Sequence, residues 1–112
     1  MNEIVCETMN LFVYGELMKD HVLLRLINRI PEKKRGKIKG YEKFFDPSIG
    51  YYGVRRKEGS EVTGFILLDI TEDELKIFDY FEDEGELYRR VKTKAYDEDG
   101  REYEVFLYVR DL

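Results

Sequence analysis

Apolar residues along the chain form two kinds of run, some spaced as in a helix and others continuous as in a buried strand. A first strand is predicted over residues 10–14. A second, EVTGFILLDI at 61–70, is almost entirely apolar, which is typical of a strand covered on both faces. Gly64 in its middle indicates a bulge or the close approach of another group. KIKGYEKFF and the residues around YYGVRRK predict further strands.

Two segments carry helical spacing instead. In the first, Asp20 can cap a helix that Pro31 ends, with apolar positions at Val22, Leu23, Leu26, Ile27 and Ile30. In the second, TEDELKIFDYFED, Thr71 and Glu74 have the spacing of a capping box. We therefore predict two helices, the second of them short.

The C-terminal part predicts a β-hairpin. LYRRVKTKAY and EYEVFLYV are rich in strand-forming residues and flank DEDG, whose Asp-Gly pair favours a tight turn. The predicted order is strand, helix, two or three strands, helix and hairpin. About six strands and two helices predict a mixed α+β domain whose sheet curls into a small barrel. We expect one domain over residues 9–112, after a short, polar extension of residues 1–8.

Composition narrows the classes of partner. The chain has 112 residues, the size of one domain, and 38% of them are charged, a heavily solvated composition found in thermophiles. The net charge of −5 argues against nucleic acid or an anionic membrane surface as a partner. The basic run EKKRGKIKG is the exception, and we interpret it as a solvated loop that leads into a strand. Nucleic-acid binding through Lys33 to Lys39 remains a third-ranked hypothesis.

The sequence offers few residues for metal or thiol chemistry. Cys6 is the only cysteine and His21 the only histidine, so neither an internal disulfide nor a Cys/His zinc site is expected. No apolar run reaches the roughly 18 residues of a membrane span, and no signal-peptide pattern starts the chain. We therefore expect a cytoplasmic protein without a metal.

Glu82 is the acidic residue whose position is hardest to explain as a surface residue. With Leu75 at zero and about 100° per residue, Phe78 falls at roughly −60°, Asp79 at about +40° and Glu82 at about −20°. Glu82 thus lies within the stripe that should face the core, close to the helix C-terminus. Burial and the helix dipole both raise a carboxyl pKa, and such a group suits general acid/base catalysis.

Two alternatives for Glu82 remain open from the sequence. The helix could end early and leave Glu82 solvated beside Asp83 and Glu84, or Glu82 could pair with Arg89 or Arg90. Asp79 is either a partner of the same site or the acceptor of a structural hydrogen bond from a nearby backbone amide.

A second candidate feature is the stretch Tyr14-Gly15-Glu16-Leu17. A strand that ends at a glycine turn leaves backbone N–H groups unpaired and convergent. Such groups can hold an anion without a cationic side chain. Many proteins contain a strand followed by such a turn, so the pattern alone does not establish a site.

Together these features resemble the γ-glutamylcyclotransferase-like superfamily, which includes γ-glutamylcyclotransferase, γ-glutamylamine cyclotransferase and the AIG2-like proteins. The family's hydrophobic strand and Tyr-Gly-x-Leu read LFVYGEL here. Its apolar strand with a glycine reads VTGFILLDI. Its Leu-Asp-x-x-Glu helix end, followed by a Tyr and a basic residue, reads FDYFEDEGELYRRV with Phe78 in the Leu position. The resemblance, which includes the final FLYV, covers about residues 9–109.

The resemblance implies a small mixed barrel and a reaction without a cofactor. Family enzymes cyclise a γ-glutamyl group: its α-amine attacks the γ-carbonyl and expels an amine, leaving 5-oxoproline. Glu82 matches the family's acid/base glutamate. Tyr14, Gly15, Glu16 and Leu17 match the loop whose amides hold the substrate α-carboxylate. Asp79 and Tyr88 are possible supports, and the implied partner is a small γ-glutamyl substrate.

Glu16 departs from the family pattern, which commonly has Thr or Ser at this position. A carboxylate beside the amide loop would compete with an anionic substrate unless its side chain points away. The alternative hypothesis is therefore a non-catalytic domain of the same fold that binds a small carboxylate ligand or a protein partner. The sequence does not determine the oligomeric state.

Overall fold

The structure is a computed structural model that describes residues 8–110. The five strands are β1 (Thr8–Val13), β2 (Lys33–Asp46), β3 (Tyr51–Thr71), β4 (Arg89–Asp97) and β5 (Glu102–Val109). The two helices are α1 (Asp20–Ile27) and α2 (Glu72–Phe81), and a 3₁₀ turn spans Glu16–Met18. Residues 1–7, which hold most of the predicted extension and Cys6, lie outside the described residues, so the domain boundary at residue 9 stays a prediction.

The strands close into a barrel in the order β1-β3-β2-β4-β5. Neighbouring strands are antiparallel, except that β5 returns to β1 in parallel at Leu11 and Phe106. Successive residues of β1 alternate between two apolar clusters, as the twofold period of a strand requires. Phe12 packs with residues such as Ile38 and Leu107, whereas Leu11 and Val13 pack with residues of α1 and α2. The predicted α+β class with a curled sheet and two helices is confirmed.

The predicted count of about six strands is wrong, because β3 is one strand of 21 residues where the sequence indicated two. Both of its halves pair with β2. The register shifts between Lys39 and Tyr41, where Gly40 has a φ of 84°, and opposite this shift Gly59 also has a φ of 84°. Glycine tolerates this left-handed conformation at no steric cost. The segment between the two predicted strands, which contains Gly59, therefore lies at a shift of register within one continuous strand.

Gly64 is required by close packing. A Cβ at this position would lie 2.9 Å from the ring of Phe12 and would also clash with the backbone oxygen of Val13. The predicted close approach is therefore confirmed, and it lets β1 and β3 pair over a large buried side chain.

Helix α1 is shorter than predicted. It begins at Asp20 rather than after it, and Lys19 precedes it without a side-chain capping bond. It ends at Ile27, because Asn28 adopts a left-handed conformation with a φ of 58° and donates its N–H to Leu24 O. Ile30 therefore lies outside the helix and is half exposed. Pro31 was not needed to end it.

Helix α2 begins as the sequence predicts. The Thr71 side chain accepts a hydrogen bond from Glu74 N at 3.2 Å, and Glu74 accepts one from Thr71 N at 3.0 Å. Arg29 donates two hydrogen bonds of 2.6 Å to the Glu74 carboxylate. This ion pair joins the segment after α1 to the first turn of α2, so the two helices are fastened together on one side of the barrel.

The basic run is part of β2 rather than a loop, which corrects that interpretation. Lys33 pairs with Asp20, and Lys37 pairs with Glu61 at 3.4 Å. Lys39 lies over the ring of Tyr96 at 5.1 Å. The cations of this strand are thus distributed among acidic and aromatic neighbours. Within residues 8–110, no helix is both long enough and apolar enough to span a membrane.

Candidate active site

A cavity of about 200 Å³ opens where β1 ends beside the C-terminus of α2. Five segments contribute to its wall: the end of β1 with the 3₁₀ turn, the turn before β3, the end of α2, the segment before β4, and β5. The lining residues are Phe12, Val13, Tyr14, Gly15, Glu16, Leu17, Gly50, Tyr51, Tyr52, Phe81, Glu82, Leu87, Tyr88 and Tyr108. The cavity therefore brings Tyr14 to Leu17 together with Glu82 and Tyr88.

The Tyr14 to Leu17 stretch presents unpaired backbone N–H groups. The buried side chain of Leu17 anchors the 3₁₀ turn, in which Met18 N donates to Gly15 O at 3.0 Å. Within residues 8–110, no acceptor is found for the N–H groups of Gly15, Glu16 or Leu17. A Cβ added at Gly15 would meet no atom within 4 Å, so the space beside the Gly15 α-carbon is open. Free backbone N–H groups on successive residues of a turn are suited to bind an anion.

Helix α2 places Glu82 on its core-facing side. Leu75 and Phe78, which define the apolar stripe, are 3% and 0% exposed, and Glu82 is the residue that follows the last helical turn. Asp83 has a φ of 52°, and Glu84 N donates to Asp79 O at 2.9 Å. This pair of features forms a Schellman-type end, which turns the chain away and leaves Glu82 in the cavity wall. The helix does not end early, so the solvated alternative is wrong.

Burial, and to a smaller extent the nearby charge of Glu16, raises the pKa of the Glu82 carboxyl from 4.5 to about 7. In the part of the chain that the structure describes, Glu82 forms no ion pair and its carboxylate accepts no hydrogen bond. Pairing with Arg90 is excluded because Arg90 binds Asp79 instead. A carboxyl group that titrates near neutrality can both accept and donate a proton.

The Glu16 side chain lies at the cavity rim. It is 41% exposed and forms an ion pair of 2.9 Å with Lys19, three residues along the chain. The loop N–H groups therefore remain open, although Glu16 is close enough to Glu82 to influence its pKa. The expected competition between this side chain and an anionic ligand is reduced by the contact with Lys19.

Asp79 is held by side chains and not, as the sequence alternative had it, by a nearby backbone amide. Arg90 donates to both of its carboxylate oxygens, at 3.1 and 2.8 Å, and the Tyr108 hydroxyl donates to it at 2.7 Å. Burial together with the Asp79 carboxylate raises the pKa of Tyr108, so this hydroxyl stays protonated. Asp79 thus holds Tyr108, a tyrosine of the cavity wall, in place. Asp79 lies about one turn of helix before Glu82.

Tyr14 and Tyr108 form a second connection behind the cavity. The Tyr14 hydroxyl donates to Tyr108 O at 2.6 Å, and both residues are buried. Burial and the negative charge of Glu82 raise the pKa of Tyr14. Sequence reasoning missed Tyr108; the available signal was a tyrosine within the otherwise apolar end of the last strand.

Tyr88 supports the opposite wall. Its hydroxyl donates to Tyr52 O at 2.8 Å, and burial followed by the charge of Glu82 raises its pKa to about 12. Arg110 donates to Leu87 O at 2.8 Å and binds Asp46 at 2.8 Å, which fastens the β2–β3 turn to the segment before β4. Tyr51, Tyr52, Phe81 and Leu87 were not predicted, because this contact between distant segments has no local sequence signature.

Among the described residues, no three His, Cys, Asp or Glu side chains are grouped as a metal site would require. The residues that line the cavity supply two carboxyl groups, Glu82 with a pKa near 7 and Glu16 paired with Lys19, together with free backbone N–H groups and tyrosine hydroxyls. They are suited to hold a carboxylate and to transfer a proton beside it.

Comparison with known proteins assigns the family. Residues 11–112 match the family model "Gamma-glutamyl cyclotransferase, AIG2-like". A Methanocaldococcus jannaschii protein, "Gamma-glutamylcyclotransferase and putative RNase", is 59% identical over 90% of this chain. AIG2-like protein D of Arabidopsis thaliana is 36% identical over 66% of the chain. The chain spans about half of these relatives, 46% and 49% of their lengths, so their full activities are not transferred to it.

Solved structures give the same fold. A solution structure of an Arabidopsis thaliana protein matches with a TM-score of 0.85 at 28% identity, covering 96% of this chain and 72% of that one. A structure named "Gamma-glutamyl cyclotransferase" matches with a TM-score of 0.81 at 16% identity, covering 92% of this chain and 66% of that one. With the family model matched over nearly the whole chain, this protein belongs to the gamma-glutamyl cyclotransferase, AIG2-like family.

Proposed function

We propose that this protein is a γ-glutamyl cyclotransferase that converts a γ-glutamyl amino acid or γ-glutamylamine into 5-oxoproline and a free amine. The observation that carries the proposal is that one cavity is lined both by Gly15 to Leu17, whose backbone N–H groups are free, and by Glu82, whose carboxyl has a pKa of about 7. A γ-glutamyl head group carries a carboxylate and an ammonium on the same carbon. The N–H groups would bind the carboxylate, and Glu82 would face the ammonium.

The reaction needs only proton transfers and one nucleophilic attack. The Glu82 carboxylate takes a proton from the substrate α-ammonium, and the freed amine attacks the γ-carbonyl carbon. The C–N bond of the ring forms while the carbonyl becomes a tetrahedral intermediate. Glu82 then gives a proton to the amide nitrogen of the leaving group, and the old C–N bond breaks. The ring nitrogen also loses its second proton, and this proton converts the released amine into an ammonium.

The protein's contribution is mainly orientation, because nucleophile and carbonyl belong to the same molecule. Holding the chain of a γ-glutamyl group in a bent form brings the two reacting atoms together. The cavity of about 200 Å³ suits a small head group, and its tyrosine hydroxyls are already held by Asp79, Tyr108 O and Tyr52 O. No cofactor takes part in this scheme, and the cytoplasm stays the predicted location.

The test is incubation with a panel of γ-glutamyl amino acids and γ-glutamylamines, followed by quantification of 5-oxoproline by mass spectrometry. Glu82→Gln should lower kcat by a factor of about 10² to 10⁴, the usual contribution of a general acid/base. Glu86→Gln is the matched control, since Glu86 is an exposed carboxylate four residues after Glu82 and does not line the cavity. It should retain wild-type activity.

Full activity of Glu82→Gln would remove Glu82 from the mechanism. Failure of every compound to react would reject the proposed reaction. If a compound then raised the thermal midpoint without being consumed, the non-catalytic carboxylate-binding alternative would take its place.

A further inference from the structure

We infer that Glu16 makes the cavity mouth select the leaving group by charge, so that the preferred substrate is a γ-glutamylamine whose leaving amine carries a second, cationic group and no carboxylate. The inference rests on the proposed function and assigns the substrate class within it. Glu16 acts here as a specificity-determining residue rather than in proton transfer.

The first observation is the balance of charge in the cavity. Among residues 8–110, its lining contains two carboxylates, Glu16 and Glu82, and no lysine, arginine or histidine. Arg90 and Arg110 lie behind the wall, but each is paired with an aspartate at 2.8 Å, Asp79 and Asp46 respectively. An anionic leaving group would therefore enter a site of the same sign without a cationic partner in the wall.

The second observation is where the leaving group must lie. If the α-carboxylate binds the N–H groups and Glu82 faces the reacting nitrogens, the remainder of the substrate extends towards the open side. Among the residues that line the cavity, Tyr51, Tyr52 and Phe81 have exposed side chains, at 53%, 50% and 41%, and an open side of the cavity is expected to be bounded by such residues. Glu16 shares this exposure, with a side chain 41% accessible. The mouth therefore combines aromatic rings with a carboxylate, a combination that favours organic cations.

Lys19 and Lys43 are the cations that oppose this preference. Lys19 neutralises Glu16 through an exposed ion pair, which is weak in water and open to exchange with another cation. Lys43 lies over the Tyr52 ring at 4.6 Å but does not line the cavity. A substrate ammonium could replace Lys19 at Glu16, whereas a substrate carboxylate would have to displace Glu16 from Lys19.

The test compares three γ-glutamyl compounds of matched length, made from diaminopentane, pentylamine and aminopentanoate. Their leaving groups are cationic, neutral and anionic. For the wild type we expect kcat/KM for the cationic compound to exceed that for the anionic one by about tenfold, the effect of roughly one nearby unit charge at a partly solvated site. Added salt should reduce the ratio.

Two variants move the ratio in opposite directions. Glu16→Gln should lower the ratio of cationic to anionic kcat/KM by about fivefold or more, and Lys19→Met should raise it. Glu61→Gln, an exposed carboxylate on β3 that is absent from the cavity lining, should leave it unchanged. Both test residues are exposed, so these variants are expected to fold.

The outcomes separate this inference from the proposed function. Turnover of all three compounds at equal kcat/KM, or a ratio unaffected by Glu16→Gln, overturns the role of Glu16 while the cyclotransferase proposal stands. A preference for the anionic compound that Lys19→Met abolishes also overturns the role of Glu16, because Lys19 would then be the residue that selects the leaving group by charge. Absence of 5-oxoproline from every γ-glutamyl compound rejects the proposed function itself, and with it the inference.

Discussion

The acid/base properties of Glu82 arise from its neighbours rather than from a bonded partner. Burial removes water from its carboxyl, and Glu16 adds a like charge nearby. Tyr14, Tyr88 and Tyr108 surround the same cavity, but their hydroxyls donate elsewhere, to Tyr108 O, Tyr52 O and Asp79. The tyrosines therefore shape the wall without supplying the hydrogen bonds that would lower the pKa of Glu82.

One prediction at this scale concerns Tyr88. Tyr88→Phe removes the 2.8 Å hydrogen bond to Tyr52 O and should lower the free energy of unfolding by about 1 kcal/mol. Because Tyr52 lies at the cavity mouth, KM should rise more than kcat falls. Chemical denaturation and steady-state kinetics measure the two effects.

Tyr96→Phe serves as the control, since the Tyr96 hydroxyl makes only an exposed contact of 3.4 Å with Glu102. It should change stability by less than about 0.5 kcal/mol. Equal effects of the two variants would show that the Tyr88 hydrogen bond has no special role in the wall.

At the scale of elements, the site depends on the C-terminal ends of β1 and α2, which meet at the cavity. Strand β1 ends in a turn with free N–H groups, and α2 ends in a residue of positive φ that leaves Glu82 in the wall. The approach of β1 to β3 fixes the first of these, and Gly64 permits that approach. The close packing of β1 against β3 at Gly64 therefore helps to position the turn that carries the free N–H groups.

Gly64→Ala should be strongly destabilising. The added Cβ would clash with the backbone of Val13 and lie 2.9 Å from the Phe12 ring, and overpacking of this kind costs about 1–3 kcal/mol. Gly15→Ala is a matched control for stability, because its Cβ would meet no atom within 4 Å. Thermal or urea unfolding measures both. A Gly64→Ala variant as stable as Gly15→Ala would contradict the described strand approach.

The sequence was informative where structure is local. Helical spacing located the Thr71 capping box and the core-facing position of Glu82, and Asp-Gly located the last turn. It failed where a non-local contact decides the outcome. The pairing of β2 with both halves of β3 joins two predicted strands, and Arg110 brings Leu87 to the β2–β3 turn. Tyr51 and Tyr52 enter the cavity wall through that contact alone.

At the scale of the whole molecule, the site opposes stability. A carboxyl whose pKa rises from 4.5 to about 7 on folding binds a proton more tightly in the folded state. The free energy of unfolding therefore falls as pH rises from about 4.5 to about 7, then stays at the lower value. The shift corresponds to about 3 kcal/mol at most.

Glu82→Gln should accordingly stabilise the protein at pH 8 by up to about 3 kcal/mol, and this gain should vanish towards pH 4.5. Urea unfolding of the variant and the wild type at several pH values measures the difference. Glu86→Gln, whose carboxylate is exposed, should show no such pH-dependent gain. A constant difference between wild type and Glu82→Gln across this range would contradict a raised pKa at Glu82.

The central claim is that Glu82 transfers protons during cyclisation of a γ-glutamyl group. Its most direct test is kcat/KM for 5-oxoproline release measured from pH 5 to pH 9, because this parameter reports the ionisation of free enzyme and free substrate. We predict a rise with unit slope that levels off through an apparent pKa near 7, the value given by burial of Glu82. A kcat/KM that shows no inflection in the neutral range, as expected if Glu82 kept the ordinary pKa of a carboxyl group, would contradict the account.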